Sequence, residues 1–332
     1  MSDTRPAHHT ADGRFRNPWP GEAEQGFAGV IRWSLGRVRR GSALRAPGAP
    51  PALRVPELRL PRGAVGEHRI TWIGHSSFLV QMGGVNILTD PVLGPRASPV
   101  SWAGPRRLVP PGVAMDAMPP VDLVLQSHDH YDHFDDATVR AVARRDPQAV
   151  WCAPLGVERQ LRARGVGRVI ECDWHDQADA GDVRVTCVPA RHFAGRTITG
   201  RNATLWCGWV AEVAGHRVYF VGDSATHPDF GEIARRYGPF DAVLMPIGAY
   251  DPRWFMGTVH VDPDEAVAAF AAIREVHPAH PTVMVAMHWG TFVLTDEPID
   301  EPPRRARAAW AARALPAEDL WILEPGETRA LR

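Results

Sequence analysis

The chain has 332 residues, enough for one large or two ordinary domains, and its 45% apolar and 23% charged residues match a packed globular protein rather than a disordered one. Its 37 cationic side chains nearly cancel 38 carboxylates to a net charge of -1, which excludes the broad positive field of a nucleic-acid-binding surface. All of those cations are arginine, so no single arginine marks a site by residue type alone.

The opening MSDTRPAHHT carries no apolar signal core, and the longest apolar run, Ala266 to Ile273, is too short to span a bilayer. Cytoplasmic residence is the expectation. Pro18, Pro20, Pro47, Pro50, Pro51 and Pro56 punctuate residues 1–60, which predicts an arm that wraps, or faces a membrane, beside a catalytic domain over 61–332. Within the arm, Phe27, Val30, Ile31, Leu35 and Val38 share one helical face. Arg32, Arg37, Arg39 and Arg40 crowd the other side, as in a short basic amphipathic helix across residues 27–40 that touches a membrane surface. Packing of that face on the main domain is the competing expectation, because Gly29 and Gly36 weaken a free-standing helix.

From Glu67 the pattern turns to strands: Arg69 to Ile73, Phe78 to Met82, a Gly83-Gly84 hairpin signal and Val85 to Leu88 predict an antiparallel meander. Asp122 to Gln126 reads as a buried strand running into a His/Asp-rich loop, and Asp136 to Arg145 as a helix. The second half repeats this grammar. Strands at Val183 to Val188, Leu205 to Val213 and Arg217 to Val221 lead to a helix near Phe230 to Tyr237 and a strand at Ala242 to Met245. A helix over Pro263 to Arg274, a strand at Thr282 to Ala286, a helix near Pro303 to Ala314 and a strand at Leu320 to Leu323 complete it. Two β-rich halves, each closed by helices, predict an α+β fold of two face-to-face sheets with helices outside, four layers in all. Cys152, Cys172, Cys187 and Cys207 show no C-x-x-C spacing, which predicts free, mostly buried thiols.

The densest cluster of metal-ligand side chains is Ser127-His128-Asp129-His130-Tyr131-Asp132-His133. Residues two apart in extended backbone project to one side, so His128 and His130 can close on one cation while Asp132 and His133 face a second. Further ligands stand just past strand ends: His192 after Val188, Asp223 after Val221 and His288 after Met287. Five His and two Asp without a thiolate suit two Zn²⁺ and, less well, Fe or Mn. With 15 His in the chain, isolated ones such as His68, His216, His277 and His280 are read as ordinary core or surface residues.

The H-x-H-x-D-H spacing of His128, His130, Asp132 and His133 resembles the motif of the metallo-β-lactamase superfamily. Asn17-Pro18-Trp19-Pro20, Thr71 to Ser77, Leu88 to Pro91, Arg96 to Pro99, Gly222-Asp223, Pro246 to Met256, His260 to Pro263 and His288 to Phe292 resemble its N-acylphosphatidylethanolamine-hydrolysing phospholipase D branch. That resemblance covers about residues 17–325 and implies a metallo-β-lactamase-like four-layer αββα sandwich. It further implies His128, His130 and His192 on one zinc, Asp132, His133 and His288 on the other, and Asp223 bridging them. Tyr131 and His260 would then sit by the substrate head group, with a packed loop aromatic and a helix-start cap as their ordinary alternatives. Asp90, before Pro91, is expected to orient a ligand histidine, or else simply to begin a turn. Arg191, Arg196 and Arg253 could help hold phosphate, but in a composition whose every cation is arginine they are treated as surface charges.

Two zinc ions about 3.5 to 4 Å apart lower the pKa of a shared water toward neutrality and stabilise attacking and leaving oxygens of an in-line displacement. Two Asp and one hydroxide against two Zn²⁺ leave +1, which favours an anionic phosphodiester over a neutral amide. The resemblance therefore implies cleavage of a phospholipid substrate, N-acylphosphatidylethanolamine, to N-acylethanolamine and phosphatidic acid. A lactonase of the same superfamily is the alternative hydrolase, and a non-catalytic metal-binding scaffold the alternative of another class. The 12 Trp leave a homodimer interface, a lipid groove and the core as competing uses.

Overall fold

The computed structural model describes residues 5–20, 29, 32, 33, 35, 36, 48–197 and 199–331. The chain first lays down β1 (Arg69–Gly74), β2 (Ser77–Met82), β3 (Val85–Thr89), β4 (Leu123–Leu125), β5 (Val150–Pro154) and β6 (Arg168–Cys172), side by side in that order. It then builds a second sheet from β7 (Gln177–Ala180), β8 (Val183–Val188), β9 (Gly208–Val213), β10 (His216–Phe220), β11 (Ala242–Pro246), β12 (Val283–Met287) and β13 (Leu320–Trp321). The last strand, β14 (Thr328–Ala330), returns antiparallel to β1. In the first sheet β1 to β3 are antiparallel and β3 to β6 parallel. In the second, β7 to β10 are antiparallel and β10 to β13 parallel. The halves match each other, as the repeated pattern predicts.

Side chains alternate across each strand, and in the central strands both sides are buried, whereas the edge strands β6, β7 and β14 are partly exposed. Phe78, Val80 and Met82 of β2, with Val150 and Cys152 of β5, enter the core between the sheets. Leu79, Trp151 and Ala153 point the other way, under Val139 and Val142 of α1 (Asp136–Arg145) and Leu161 of α2 (Glu158–Arg162). The far face of the second sheet is covered by α3 (Phe230–Tyr237), then, after the single turn α4 (Arg253–Met256), by α5 (Pro263–Val276) and α6 (Glu301–Ala312). Phe270 and Trp310 join α5 to α6 with ring centroids 5.1 Å apart. The result is the four-layer αββα sandwich. All four cysteines are free and buried.

Boundaries moved where tertiary bonds outrank local pattern. The run from Leu205 starts its ladder only at Gly208, because Leu205 N–H bonds to Leu155 O and Cys207 N–H to Ser127 O (2.8 and 3.0 Å), tying the two sheets together. The strands β5, β6 and β7 and the helix α2 had no separate signal in the sequence. They are short, and α2 buries only Leu161.

Residues 5–20 lie along the body. His8 and His9 each place Nε2 2.7 Å from a different oxygen of Asp173, Phe15 N–H bonds to Asn202 O, and Asn17 Nδ2 donates to His192 O at 2.8 Å. Trp19 stacks on Trp174 and on His227, whose other face meets Phe230. Most of the expected amphipathic helix across 27–40 lies outside the described residues. Arg32, Trp33, Leu35 and Gly36 are helical; Trp33 stacks on Phe255 at 5.3 Å and donates to Asp296 at 3.1 Å, while Leu35 is 54% exposed.

The aromatic sandwich around His227 makes an acid-sensitive contact. Burial, and secondarily Arg191, pushes its imidazole down to about 3, so the folded chain holds it neutral. The unfolded chain takes up that proton below the ordinary histidine value of about 6.5. Stability from this site is therefore complete above pH 6.5 and falls by about 1.4 kcal/mol per unit toward pH 3. His227→Phe keeps the ring stack without the titration. Urea unfolding between pH 7 and 4 is expected to show a shallower loss in that variant; parallel losses would remove His227 as the cause.

Candidate metal centre

Every element of the centre comes from the C-terminal end of a strand. β4 runs into Gln126-Ser127-His128, β8 leads through Pro189-Ala190-Arg191 to His192, β10 to Asp223, and β12 to His288. Strand ends fix the backbone while leaving side chains free to converge. Gly222 shows how tight the approach is: its φ is +67°, and a Cβ there would stand 2.7 Å from Cys207 O. His75, Asp90 and His288 also take positive φ (56°, 28° and 62°), strained values for residues with a Cβ, and they cluster at this one edge.

The predicted ligands meet in two adjoining groups. His128 Nε2 lies 2.9 Å and His192 Nε2 3.2 Å from His130 Nδ1. Asp132 Oδ2 lies 3.5 Å from both His133 Nε2 and His288 Nε2. Asp223 Oδ2 stands between the groups, 3.1 Å from His133 Nε2, 3.0 Å from His288 Nε2 and 3.8 Å from His192 Nε2. All seven residues thus lie together, five of them buried and His130 and Asp132 half-buried, and these His/Asp clusters are able to bind metal.

Hydrogen bonding behind the imidazoles turns their other nitrogens inward. His133 Nδ1 donates to Asp90 Oδ2 at 2.6 Å, His192 Nδ1 to Val259 O at 2.9 Å, and His128 Nδ1 to Ser127 Oγ at 2.8 Å. Ser127 Oγ in turn donates to Asp90, so one buried carboxylate backs two imidazoles. A ring whose Nδ1–H is so engaged presents the Nε2 lone pair that a metal needs. The turn-starting alternative for Asp90 is not what its side chain does.

The centre also has the electrostatics of a cation site. Burial holds His128 well below the ordinary range, His192 down to about 3 and His130 down to about 4, so these rings are neutral. Burial opposes charge on His133 and His288 too, but Asp223 and Asp132 override it, lifting His288 to about 9 and His133 well above the ordinary range. The pocket draws in positive charge. Among the described residues, His133 Nε2, His288 Nε2 and Asp223 Oδ1 are buried and not aligned for any hydrogen bond. Buried orphans of this kind are costly unless something fills the space between them, and a divalent cation fits that donor set.

His260 is not the cap of α5: Asp262 is, in a capping box with Glu265. His260 is instead buried beside the centre, its Nδ1 3.9 Å from Asp223 Oδ2 and without a hydrogen-bond partner among the described residues. Tyr131 donates its hydroxyl to Arg196 O at 3.0 Å and lines a cavity of about 380 Å³ with Phe134, Gln160 and Arg164. Arg196 corrects the reading of a surface charge. Its side chain is 10% exposed, donates to Asp129 O, Phe134 O and Asp136, and lies 4.0 Å over the Tyr131 ring. Arg253 likewise donates to His260 O and Glu265. Arg191 keeps to the reading: among the described residues its side chain donates an exposed bond to Thr226 O. His75, which the sequence reading left without a role, lies with Nε2 3.0 Å from Asp132 Oδ2.

Comparison with known proteins bears on this geometry. The model of the beta-lactamase superfamily domain matches residues 85–289, which contain every ligand named above. The chain belongs to the metallo-β-lactamase superfamily. Its class is that of the superfamily's metal-dependent hydrolases. An uncharacterised protein of Mycobacterium tuberculosis is 43% identical over 84% of this chain and 73% of its own length. The N-acyl-phosphatidylethanolamine-hydrolyzing phospholipase D 1 of Caenorhabditis elegans is 36% identical over 75% of this chain and 70% of its own. The metallo hydrolase Igni18 of Ignicoccus hospitalis, at 21% identity, superposes with a TM-score of 0.58 over 80% of this chain and 99% of its own, a likeness of fold. Among the described residues, no helix is long and apolar enough to cross a membrane.

Proposed function

We propose that the chain is a two-metal phosphodiesterase of phospholipase D type, acting on N-acylphosphatidylethanolamine. The observation that carries this reading is Asp223 between the His128/His130/His192 and Asp132/His133/His288 groups, in a chain 36% identical to the nematode phospholipase D. In this reading the first group holds one ion, the second group the other, and Asp223 bridges. Bound there, two divalent ions supply Lewis acidity, a water of lowered pKa and charge neutralisation for an in-line displacement.

The rest falls to the chain. Two divalent ions against the carboxylates of Asp132 and Asp223 leave the pocket positive, which favours an anionic diester over a neutral ester. His260, with its unpaired Nδ1 facing the pocket, donates a hydrogen bond to a phosphoryl oxygen. Tyr131 shapes the adjoining wall, held to Arg196 by its hydroxyl and by its ring face. Water adds at phosphorus, the bond from phosphorus to the head-group oxygen breaks, and phosphatidic acid and an N-acylethanolamine leave.

The test is metal content together with product release from vesicles of defined lipid, set against a soluble bis-aryl phosphodiester and a panel of sugar-acid lactones. Two ions per chain with phosphatidic acid release is the expected result. Turnover of lactones alone would move the chain to the lactonase branch, and no bound metal would revive a scaffold role.

Surface contact belongs to the same proposal. Leu35 is exposed on the helical stretch that packs Trp33 on Phe255, next to α4 and hence near His260. Changing Phe27, Ile31 and Leu35 together to Ser is expected to lower turnover on vesicles about tenfold or more, since losing about 1.4 kcal/mol of apolar insertion already costs that factor. The soluble diester should be cleaved nearly as before. Equal losses on both substrates would count against membrane contact through residues 27–40.

A further inference from the structure

His75 touches both halves of one ligand group at once. It occupies the sharp connection from β1 to β2 with φ 56°, and its N–H donates to Thr291 Oγ1 at 2.6 Å. Its carbonyl accepts the N–H of His288 at 3.1 Å and the indole N–H of Trp72 at 2.9 Å. The imidazole, 1% exposed, reaches Asp132 Oδ2 with Nε2 at 3.0 Å and packs 4.0 Å from the His288 ring, centroid to centroid. Its Nδ1 has no hydrogen-bond partner among the described residues, so the ring's single proton belongs on Nε2, where Asp132 accepts it.

We propose that His75 is a positioning residue for the ion held by Asp132, His133 and His288, fixing His288 through its backbone carbonyl and aiming Asp132 through its Nε2–H. The alternative, that His75 is itself a ligand, has proximity in its favour, since its ring nitrogen lies within 4.8 Å of the ligand atoms of those three residues. The hydrogen bond decides between them. Nε2 is already committed to Asp132 with proper alignment, whereas His133 Nε2 and His288 Nε2 have no hydrogen-bond partner among the described residues. Among the described residues His75 is the side chain aligned to hydrogen-bond Asp132, so losing it removes the bond that aims the carboxylate. The left-handed backbone at His75 is strain that the fold tolerates where it sets a functional group.

This inference rests on the two-ion reading, and its test separates the two. Zinc and cobalt are titrated into the metal-stripped full chain, with stoichiometry by elemental analysis and the d–d spectrum of cobalt reporting each site. Wild type should hold two ions. His75→Ala should lose the second ion about 10- to 100-fold in affinity while the His128/His130/His192 ion binds as before, the usual cost of removing a partner behind a ligand. His75→Gln, which keeps an N–H at a similar reach but is a poor ligand, should recover most of the lost affinity. If the alanine variant does not fold, as judged by its thermal transition, His75→Asn, too short to reach Asp132, takes its place. Two ions bound by the alanine or asparagine variant with wild-type affinity would overturn the proposal. So would a glutamine variant as weak as alanine, which would make His75 a ligand. A wild type holding fewer than two ions would overturn the two-ion reading beneath it.

Discussion

Asp223→Asn is expected to lower phosphodiester turnover by about 10²- to 10³-fold and to reduce bound metal below two ions per chain. Asp223 Oδ2 is within 3.9 Å of His133, His192, His260 and His288, so one atom faces both ligand groups. The amide keeps the shape of the side chain and removes its charge. It also turns either a neutral oxygen or an N–H toward the cations. Burial opposes ionisation of Asp223, but His133 and His288 outweigh it and hold its carboxyl well below the usual range, so the charge lost is a full one. Removing one member of a buried charged set costs about 3 to 5 kcal/mol, and 1.4 kcal/mol is a factor of ten. Elemental analysis and single-turnover rates with the soluble diester measure the two effects separately. A variant that keeps both ions and its rate would remove the bridging role.

Asp90→Ala is expected to cost about 3 to 5 kcal/mol of folding stability and to weaken metal binding about 10- to 100-fold. Asp90 is fully buried and accepts from Ser127 N–H at 2.7 Å, Gln126 Nε2 at 3.0 Å and His133 Nδ1 at 2.6 Å. Truncation orphans the Ser127 N–H and the His133 Nδ1–H, while Gln126 Nε2 keeps His128 O and His133 O. It also releases His133, whose ring is then free to turn its Nδ1, rather than Nε2, toward the pocket. Asp90→Asn, which retains acceptor capacity on one oxygen, should fall between wild type and alanine. Urea unfolding of the metal-free chain reads the stability term and zinc titration the positioning term. A wild-type midpoint with wild-type affinity would show Asp90 to be only a turn residue.

The clustering of the candidate ligands was legible because metal-ligand motifs obey spacing rules that survive without coordinates. His128, His130, Asp132 and His133 lie within six residues of one another, so local backbone geometry alone brings them close. The meander of β1 to β3 was legible for the same reason: its alternation and its Gly83-Gly84 turn are local signals. The second group of α5, β12 and α6 was found within a few residues of its observed limits, since α5 and α6 are long helical runs and β12 is a continuous apolar strand between them. Failures share a cause. β5, β6, β7 and α2 are short, and their apolar residues answer to neighbours across the sheet rather than to a period within the segment.

What the amino-acid order determined by itself was the kind of chemistry: hard and nitrogen ligands at strand ends, free thiols, no strong positive field, and two β-rich halves. Only the tertiary structure decided which distant residues serve that chemistry. His75 carries no spacing signal, because its partners, Asp132 and His288, are 57 and 213 positions away and meet it only when β1 and β12 end at the same edge. Arg196 looked like one more arginine until burial against Tyr131 and Asp136 made it a brace. The α5 cap fell to Asp262, which left His260 facing the pocket. Pattern in a chain reports what each residue can do, while partners separated by hundreds of positions are chosen by the packing of two sheets, whose burial energy is indifferent to sequence distance.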